Sequence, residues 1–553
     1  MTLFAQTDVP CEFALQATGS YADICNDVEV DVVFVGADGE EWRVPAFWAG
    51  DNVFRARFAA PAPGRYSWRS ICTDPQDTGL HGQTGELLVE PYAGDNPLYR
   101  HGRLRVAETR RTIEHGDGTP FFWLGDTWWM GLTRRLDWPG GFRALAADRV
   151  SKGFSVIQLV AGPLPDFDAV TGTWHPQQTN EAGWPWEKDW ARINPRFYDL
   201  ADLRIAFLIE HGLVPCIVGM WGYYLPFMGV GRAKQHWRNL VARYGAYPVV
   251  WCTAGEVNMS TYSSSADERE ARREIQEQGW TEVTSYVRSI DPYRNPITAH
   301  PSRPDSRAML RDETLLDIDM LQTGHSGYLS MQPTVEVVNA CVAQQPRMPV
   351  INSEVCYENI MGGSQHEVQR FMFWTCLTSG AAGHTYGAQG IWGMSSRDEP
   401  FEGTTPSWGD GFWQDVMHLP GSTHVGIGRR FFERYPWWAF EPRHEPNLPA
   451  GRICAFATGI AGTVAVYYLP MGCVSEELMG MQTGAVDIAP VTVEPAATYR
   501  AYFFDPRTGA EVAIGAVTAD AKGRWTPPRK PTRDDWVLVL EHPDKCAALL
   551  SPR

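Results

Sequence analysis

Alternating apolar and polar residues mark both ends of the chain. In residues 1–93 a period of two runs through 28–35 and 52–58, with Gly, Asp and Pro turns between such segments. The same alternation returns after residue 440 in segments 453–458, 463–469, 499–504 and 536–540. Because side chains of a strand point to opposite faces in turn, this period indicates half-buried strands. The pattern predicts a β-sandwich at each end of the chain, the first of them immunoglobulin-like.

The pattern between these ends is different. From about residue 117, short apolar segments alternate with longer stretches of helical period, which is typical of β/α units and a parallel sheet. Eight strands are predicted, at 121–125, 154–160, 213–219, 249–254, 296–300, 316–322, 349–353 and 383–386. Six helices are predicted between them, at 143–152, 197–211, 233–244, 266–290, 335–344 and 367–379.

Eight strands over this length favour a closed (β/α)8 TIM barrel. An open, doubly wound sheet is the alternative, and it is less favoured because no Gly-x-Gly-x-x-Gly follows any of the strands. We therefore predict three domains in the 553 residues. They are an N-terminal sandwich over 1–93, a barrel with its linker over 94–440 and a C-terminal sandwich over 441–553.

Composition narrows the classes of partner. The formal net charge is −17, which disfavours binding to the phosphate backbone of nucleic acids or to anionic membranes. Aromatic residues make up 12% of the chain and include 23 Trp. Indole faces pack well on the apolar faces of sugar rings, although most Trp in any protein belong to its core. The composition fits a carbohydrate partner, and it leaves a homo-oligomer open.

No targeting or redox feature stands out. Residues 1–10 lack the basic and apolar regions of a secretory signal, and no segment reaches the ~20 apolar residues of a membrane span. The 11 Cys contain no Cys-x-x-Cys pair, which indicates reduced thiols. A cytoplasmic location is expected, although a chain whose leader had been removed would give the same pattern.

Two glutamates follow predicted strands four and seven. Trp251-Cys-Thr-Ala-Gly-Glu256 and Pro349-Val-Ile-Asn-Ser-Glu354 each run from an apolar segment into a carboxylate. Barrel enzymes build their active sites at the carboxyl ends of the strands, so the two glutamates should face one mouth. Hydrolysis of a glycoside needs a proton donor and a second carboxylate, which becomes a nucleophile when the two groups are ~5–5.5 Å apart.

Other strand ends supply groups that could bind hydroxyls or sugar rings. Tyr357 or His325 could also orient the Glu354 carboxylate. For Asp126 and Gln158 a structural role is an equally good interpretation, and in the Trp128-Trp129 pair one ring should belong to the core. The candidate substrate-binding residues are Asp126, Trp128, Gln158, Trp221, Tyr223, Asn258, His300, Gln322, His325, Tyr357, Tyr386 and Trp392.

Several motifs together resemble the apiosidase-type family of glycoside hydrolases, within the larger retaining clan of barrel enzymes. They are Trp123-Leu-Gly-Asp-Thr-Trp128, the segment 148–158, the Gly255-Glu256 strand end and Asn352-Ser-Glu-Val-Cys-Tyr-Glu358. The flanking segments 44–48, 65–68 and 504–509 are similar to the domains that precede and follow such barrels. The resemblance implies Glu256 as acid/base and Glu354 as nucleophile. Family members usually carry Asp where this chain has Glu256, which is longer by one methylene, about 1.5 Å.

We therefore expect a retaining exo-glycoside hydrolase that releases a terminal furanose, such as apiose, arabinofuranose or fructofuranose, from a small oligosaccharide or glycoside. A pyranoside-specific, endo-acting or inverting enzyme is the alternative within this class. A non-catalytic carbohydrate-binding protein is the alternative outside it. We expect neither a metal nor a cofactor, because the chain lacks the His-Glu-x-x-His and phosphate-loop motifs.

Overall fold

The computed structural model describes residues 2–167, 175–262, 264–302, 304–403, 408–443, 456–471 and 487–550. Its N-terminal part is a pair of facing sheets. One sheet has the order β1-β8-β7-β3-β4 and the other the order β2-β6-β5, and their inner faces enclose a core of their own. The strands are β1 (Thr2–Gln6), β2 (Cys11–Gln16), β3 (Val30–Val35), β4 (Glu41–Pro45), β5 (Phe47–Gly50), β6 (Val53–Phe58), β7 (Gly64–Cys72) and β8 (Thr84–Glu90), with the short helix α1 (Ile24–Asp27) before β3.

A short connecting region follows. It contains helix α2 (Pro97–Arg100) and a small antiparallel sheet of β9 (Leu104–Val106), β10 (Ile113–His115) and β11 (Pro120–Phe121). Helix α2 begins where Asn96 accepts a hydrogen bond from Leu98 N and Pro97 occupies the first turn. Both features are common at helix starts, since they satisfy or remove backbone donors that have no partner inside the helix.

Eight parallel strands form the central sheet, and every residue in them is buried. The predicted (β/α)8 barrel is confirmed, with each predicted strand found within a few residues of its expected position. The strands are β12 (Trp123–Thr127), β13 (Val156–Val160), β14 (Val214–Val218), β15 (Val250–Cys252), β16 (Ile297–Thr298), β17 (Asp319–Gln322), β18 (Val350–Glu354) and β19 (Gly383–Tyr386).

The strand order rules out the open-sheet alternative. Strand β12 pairs with both β13 and β19, so the first and last strands are neighbours. The barrel closes between β16 and β17, where Asp317 N donates to Ile297 O over 2.8 Å and Thr298 Oγ1 donates to Ile318 O over 2.8 Å. The carboxyl ends of all eight strands therefore surround one mouth.

All six predicted helices are present, and in the described residues two further α-helices lie between β19 and the C-terminal strands. Helix α6 shows why such a helix begins where it does: Ser265 Oγ accepts from Glu268 N, and the Glu268 carboxylate accepts from Ser265 N. In the described residues between β16 and β17 the helices are short 3₁₀ turns. The α-helices are α3 (Gly140–Lys152), α4 (Pro195–Glu210), α5 (Leu225–Tyr244), α6 (Ala266–Ile290), α7 (Met331–Ala343), α8 (His366–Thr378), α9 (Trp413–Val416) and α10 (Pro420–Phe432).

The C-terminal part is again formed by antiparallel strands. Six of them have the order β20-β21-β22-β27-β24-β25, and β23 pairs with β26. Residues 453–455 of the predicted strand 453–458 lie outside the described residues. The elements are β20 (Glu441–Arg443), β21 (Phe456–Ile460), β22 (Val464–Leu469), β23 (Val491–Thr492), β24 (Thr498–Phe504), β25 (Glu511–Thr518), β26 (Arg524–Trp525), β27 (Trp536–Glu541) and the helix α11 (Pro543–Leu550).

Both terminal parts pack on the barrel. In β22, Val466 and Tyr468 join the core of the barrel, whereas Tyr467 and Leu469 on the opposite face join a separate C-terminal core. At the other end, Arg57 of β6 reaches the barrel helices, where it donates to Asp202 Oδ2 over 2.5 Å and to a backbone carbonyl of α5 over 2.6 Å. These contacts join the sheets to the barrel, while the domain boundaries at 93 and 440 stay a prediction.

A buried ion pair joins the first strand of the barrel to helix α3. Arg149 of α3 and Asp126 of β12 both have fully buried side chains, and Arg149 Nε donates to Asp126 Oδ2 over 2.5 Å. Asp126 also accepts from its neighbours, from Trp128 Nε1 over 2.7 Å and from Thr127 N over 2.9 Å. A charge buried in this way is tolerated only while its partner is present.

Replacing this carboxylate should therefore destabilise the fold. In Asp126→Ala the Arg149 guanidinium loses its fully buried carboxylate partner and keeps the less buried Asp148, and we expect the free energy of unfolding to fall by about 3–5 kcal/mol. Chemical denaturation measures this change. As a control, Glu86→Ala removes the partner of Arg65 from an exposed surface pair, and it should change stability by less than about 1 kcal/mol. Equal effects of the two substitutions would contradict a structural role for Asp126.

Candidate active site

Both candidate glutamates lie at the carboxyl ends of barrel strands. Glu354 is the last residue of β18, and Glu256 follows β15 by four residues. Thr323 N donates to Glu354 O over 3.1 Å, which fixes the end of β18 against the strand beside it. The barrel thus brings together two carboxylates that are 98 residues apart in the sequence.

Glu256 occupies a backbone conformation that few L-residues adopt, with φ = +41°. The residue before it has to be glycine, since a Cβ on Gly255 would lie 2.1 Å from the indole of Trp221. Helix α6 holds the following turn: Gln276 Nε2 donates to Val257 O and to Met259 O, each over 2.9 Å. A non-glycine residue with positive φ costs about 1–3 kcal/mol and is often found at functional sites.

One side-chain amide connects the two glutamates. Gln322 Nε2, at the end of β17, donates to Glu256 Oε1 and to Glu354 Oε1, each over 3.1 Å. Because a single nitrogen bonds both oxygens, these oxygens can be no more than about 6 Å apart, a limit close to the ~5–5.5 Å carboxyl separation of retaining glycosidases.

Two histidines contact Glu354. His325 Nε2 lies 2.7 Å from Oε1, and His300 Nε2 lies 3.1 Å from Oε2. Burial by itself would raise the pKa of Glu354, but the hydrogen bonds and positive charge of the two histidines outweigh it and hold the pKa below its usual range. Glu354 is therefore suited to remain an anion.

The environment of Glu256 acts in the opposite direction. Burial and the nearby Glu354 charge raise the pKa of Glu256 above its usual range, although Trp221 Nε1 donates to its Oε2 over 3.2 Å. Two carboxylates whose environments separate their pKa values are the arrangement that acid/base chemistry requires, since one can stay protonated beside an ionised partner.

The glutamates open into a pocket of about 220 Å³. Its walls are largely aromatic, and they include the rings of Trp129, Trp221, Tyr357, Trp392 and Trp408. Trp129 connects two walls, because its Nε1 donates to Tyr357 OH over 3.0 Å and its ring meets that of Trp221 edge to face at 5.4 Å. Such a pocket presents flat apolar faces around two carboxylates, which suits one sugar ring.

Seven predicted substrate-binding residues lie at or beside this pocket. Of the two that do not line the pocket themselves, His300 contacts Glu354, and Asn258 Oδ1 accepts from the pocket residue Ser302 over 2.6 Å. The residues brought together are Trp221, Asn258, His300, Gln322, His325, Tyr357 and Trp392.

The remaining five predicted residues are buried outside the lining of the pocket. Asp126 accepts a hydrogen bond from Trp128 and forms the ion pair with Arg149 described above. Gln158 Nε2 donates to Ser353 O over 3.0 Å and so holds the backbone of β18 next to Glu354. Tyr223 OH donates to two carbonyls of the loop after β13, and Tyr386 OH donates to Glu358 Oε2 over 2.5 Å. These groups support the strand ends and do not reach the pocket.

The sequence pattern does not predict several of the residues that line the pocket. For the Trp128-Trp129 pair the sequence predicts one ring in the core and favours Trp128 for the site, whereas in the structure Trp129 lines the pocket. Asp166, Tyr262 and Trp408 come from loops beyond the strand ends, and no periodic pattern marks them. Asp166 adds a third carboxyl to the pocket, and it interacts with the hydroxyl of Tyr262.

The part of the chain that the structure describes contains neither a candidate metal cluster nor a membrane-spanning helix. Within the described ranges, no cluster of three or more His, Cys, Asp or Glu is placed to hold a metal ion. Among the helices of the described part of the chain, none combines the length and the apolar character needed to cross a membrane.

Similar folds occur in solved structures. A glycoside hydrolase family 5 protein from Bacteroides vulgatus ATCC 8482 is 20% identical, with a TM-score of 0.62 over 82% of this chain and 96% of that one. A second protein from the same strain, described as a putative glycoside hydrolase, is 16% identical, with a TM-score of 0.68 over 98% of this chain and 99% of that one. At these identities the likeness shows a shared fold.

Family models give the more specific result. No curated protein matches the chain significantly. A domain of unknown function matches residues 9–73, and a domain named for collagen binding in a collagenase matches 482–541. The model of the apiosidase-like catalytic domain matches residues 107–439, more than half of the chain, and covers both glutamates. The chain therefore belongs to the family of apiosidase-like catalytic domains, and is by family a glycoside hydrolase.

Proposed function

We propose that this glycoside hydrolase retains the anomeric configuration, with Glu354 as nucleophile and Glu256 as acid/base. The observation that carries the proposal is the Gln322 amide that bonds both carboxylates, since it holds them close enough for direct attack on a bound sugar. An inverting enzyme needs a wider gap for a water molecule, about 6.5–9.5 Å.

The two steps follow from the protonation states. Glu256, kept protonated by burial and by the charge of Glu354, gives its proton to the glycosidic oxygen while the Glu354 carboxylate attacks the anomeric carbon. The aglycone leaves with that proton, and a covalent glycosyl ester remains. Glu256 then takes a proton from water as the water displaces Glu354, which restores both groups.

We further propose that the enzyme is exo-acting and that it releases a terminal furanose. The pocket is small, and its aromatic walls would accept one ring at a chain end and exclude internal units. The furanose rests on membership of the apiosidase-like family. Three expectations stay predictions. The protein binds neither nucleic acid nor membranes, it is located in the cytoplasm, and it can form a homo-oligomer.

The first expected outcome concerns the acid. Glu354→Gln removes the neighbouring negative charge, so the pKa of Glu256 should fall towards its ordinary value. Carbon-13 NMR titration of the Glu256 carboxyl, assigned with Glu256→Gln, measures this shift. Glu358→Gln is the control, because that carboxyl is also buried but bonds Tyr386 and Gly421 outside the pocket. An unchanged or raised pKa of Glu256 in Glu354→Gln would argue against the coupled pair.

The second outcome concerns the nucleophile. Glu354→Ala should stay folded and lose turnover by several orders of magnitude, because covalent catalysis is lost. Azide fits the space that the carboxylate vacates, so it should restore turnover of an activated aryl glycoside and form a glycosyl azide of inverted configuration.

The variant Glu256→Gln tests the acid role in the same way as Glu354→Ala tests the nucleophile. Glu256→Gln should slow substrates with poor leaving groups far more than activated aryl glycosides such as nitrophenyl glycosides, since only the former need a proton in the first step. Near-wild-type turnover in Glu354→Ala, or an equal loss across all leaving groups in Glu256→Gln, would remove the assigned roles. Sugar binding by both variants, with no hydrolysis by any form, would instead identify a binding protein.

The third outcome concerns the ring form and the site of cleavage. Aryl furanosides should be hydrolysed faster than matched aryl pyranosides, and an oligosaccharide should yield monosaccharide from the first time point. Parallel rate measurements and a product time course test both statements. Preferential turnover of a pyranoside would overturn the furanose assignment alone, and early release of longer fragments would overturn exo action alone.

A further inference from the structure

Apolar side chains are exposed on the two loops that follow β17 and β18. Leu329 is 70% exposed and Met361 is 51% exposed, and the neighbouring Tyr328 is 37% exposed. Burying apolar surface stabilises a protein by about 25 cal/mol for each Å², and exposed side chains lack this stabilisation. Exposed apolar groups that lie together therefore usually mark a binding surface.

These side chains belong to one surface that borders the pocket. A Cβ on Gly327 would lie 3.3 Å from Gly363 O, so the two loops touch. Tyr328 OH also donates to Glu367 of α8, the helix that follows the second loop. We name this surface the rim patch. It consists of the exposed Tyr328, Leu329 and Met361 together with the partly buried Trp408 and the buried Ile360.

The rim patch continues into the pocket wall. Ile360 and Trp408 line the pocket itself, and the Trp408 ring meets that of His325 edge to face at 5.8 Å. A Cβ on Gly409 would lie 3.4 Å from Met361 N, so the two ends of the patch adjoin. A ligand that extends out of the pocket on this side would therefore meet Met361.

The backbone is strained where Met361 is presented. Asn359 has φ = +65° and Met361 has φ = +51°, and both lie in the left-handed region, which costs an L-residue free energy. The turn is held by Gly362 N donating to Asn359 O over 3.1 Å and Gly363 N donating to Ile360 O over 3.0 Å. An exposed thioether gains little by packing in this conformation, so the strain indicates a role in binding.

The chemistry of the rim patch selects its occupant. Leu, Ile and Met side chains offer no strong hydrogen bond to a sugar hydroxyl, whereas a thioether and an indole both make favourable contacts with aromatic rings. Met259 and Tyr262, which follow β15, also line the pocket. Their side chains add apolar surface to that of the rim patch.

We propose that the substrate carries an aromatic aglycone, phenolic in chemical class, which the rim patch binds while the sugar lies between Glu256 and Glu354. This inference rests on the proposed function and narrows it from small oligosaccharides or glycosides to glycosides of phenols. The aglycone leaves as the phenol, with the proton from Glu256.

The first test compares two leaving groups on one sugar. Met361→Ser should lower kcat/KM about fivefold for a 2-naphthyl glycoside, because the naphthyl ring loses its apolar contact. The glycosyl fluoride of the same sugar has no aglycone to bind, so its hydrolysis should be unchanged. Val512→Ser is the matched control, since Val512 is 43% exposed on β25 of the C-terminal sheet and both substrates should be unaffected.

A second measurement does not depend on turnover. Protein labelled with carbon-13 at the methionine methyls is titrated with free 2-naphthol, and the Met361 signal, assigned by its loss in Met361→Ser, should shift through the ring current. A shift without hydrolysis of any glycoside would refute the proposed function and leave the aromatic site standing.

Two results would overturn the inference. One is that Met361→Ser changes kcat/KM by the same factor for the naphthyl glycoside and the glycosyl fluoride, and that naphthol does not shift the Met361 signal. The other is a Met361 signal that shifts with protein concentration in the absence of naphthol, which would show that the rim patch binds a second copy of the chain.

Discussion

Two carboxylates share one largely buried pocket, and the surrounding structure resolves their repulsion. Equal environments would leave both groups competing for one proton, but here the environments differ. Two histidines hold the pKa of Glu354 below its usual range, whereas burial and the negative charge of Glu354 raise the pKa of Glu256. Gln322 donates to both and so fixes their separation. The chemistry proposed for the pocket depends on this inequality.

The barrel supplies the rigidity that this arrangement needs. The glutamates, Gln322 and His300 come from four different strand ends, so any slip between strands would separate them. Side chains outside the pocket prevent such slips: Gln158 supports the strand of Glu354 from behind, and Gln276 holds the turn of Glu256. The positive φ of Glu256 is the local cost of aiming its carboxyl into the pocket.

The C-terminal sheet stabilises the helix that follows β18. Trp374 of α8 stacks on Tyr468 of β22 with ring centres 5.9 Å apart, and Arg370 of the same helix donates to Asp535 over 2.8 Å. Because α8 packs between this sheet and the barrel, the position of the strand that carries Glu354 is coupled to the C-terminal strands. Ile360 and Met361 of the rim patch lie on the loop between that strand and α8.

Local pattern predicted the eight strands and the two glutamates at their ends, and it favoured a closed barrel, because parallel β/α units place successive strand ends at one edge of the sheet whatever the details of packing. The strand order of the structure then decided for closure. Local pattern could not decide which ring of Trp128 and Trp129 enters the pocket, since the alternation of the strand ends at Thr127. Nor could it show that Asp126 pairs with Arg149 beneath the site, or that Asp166 and Trp408 reach it. Those choices depend on loop paths and on contacts between residues far apart in the sequence, so only the tertiary structure decided them.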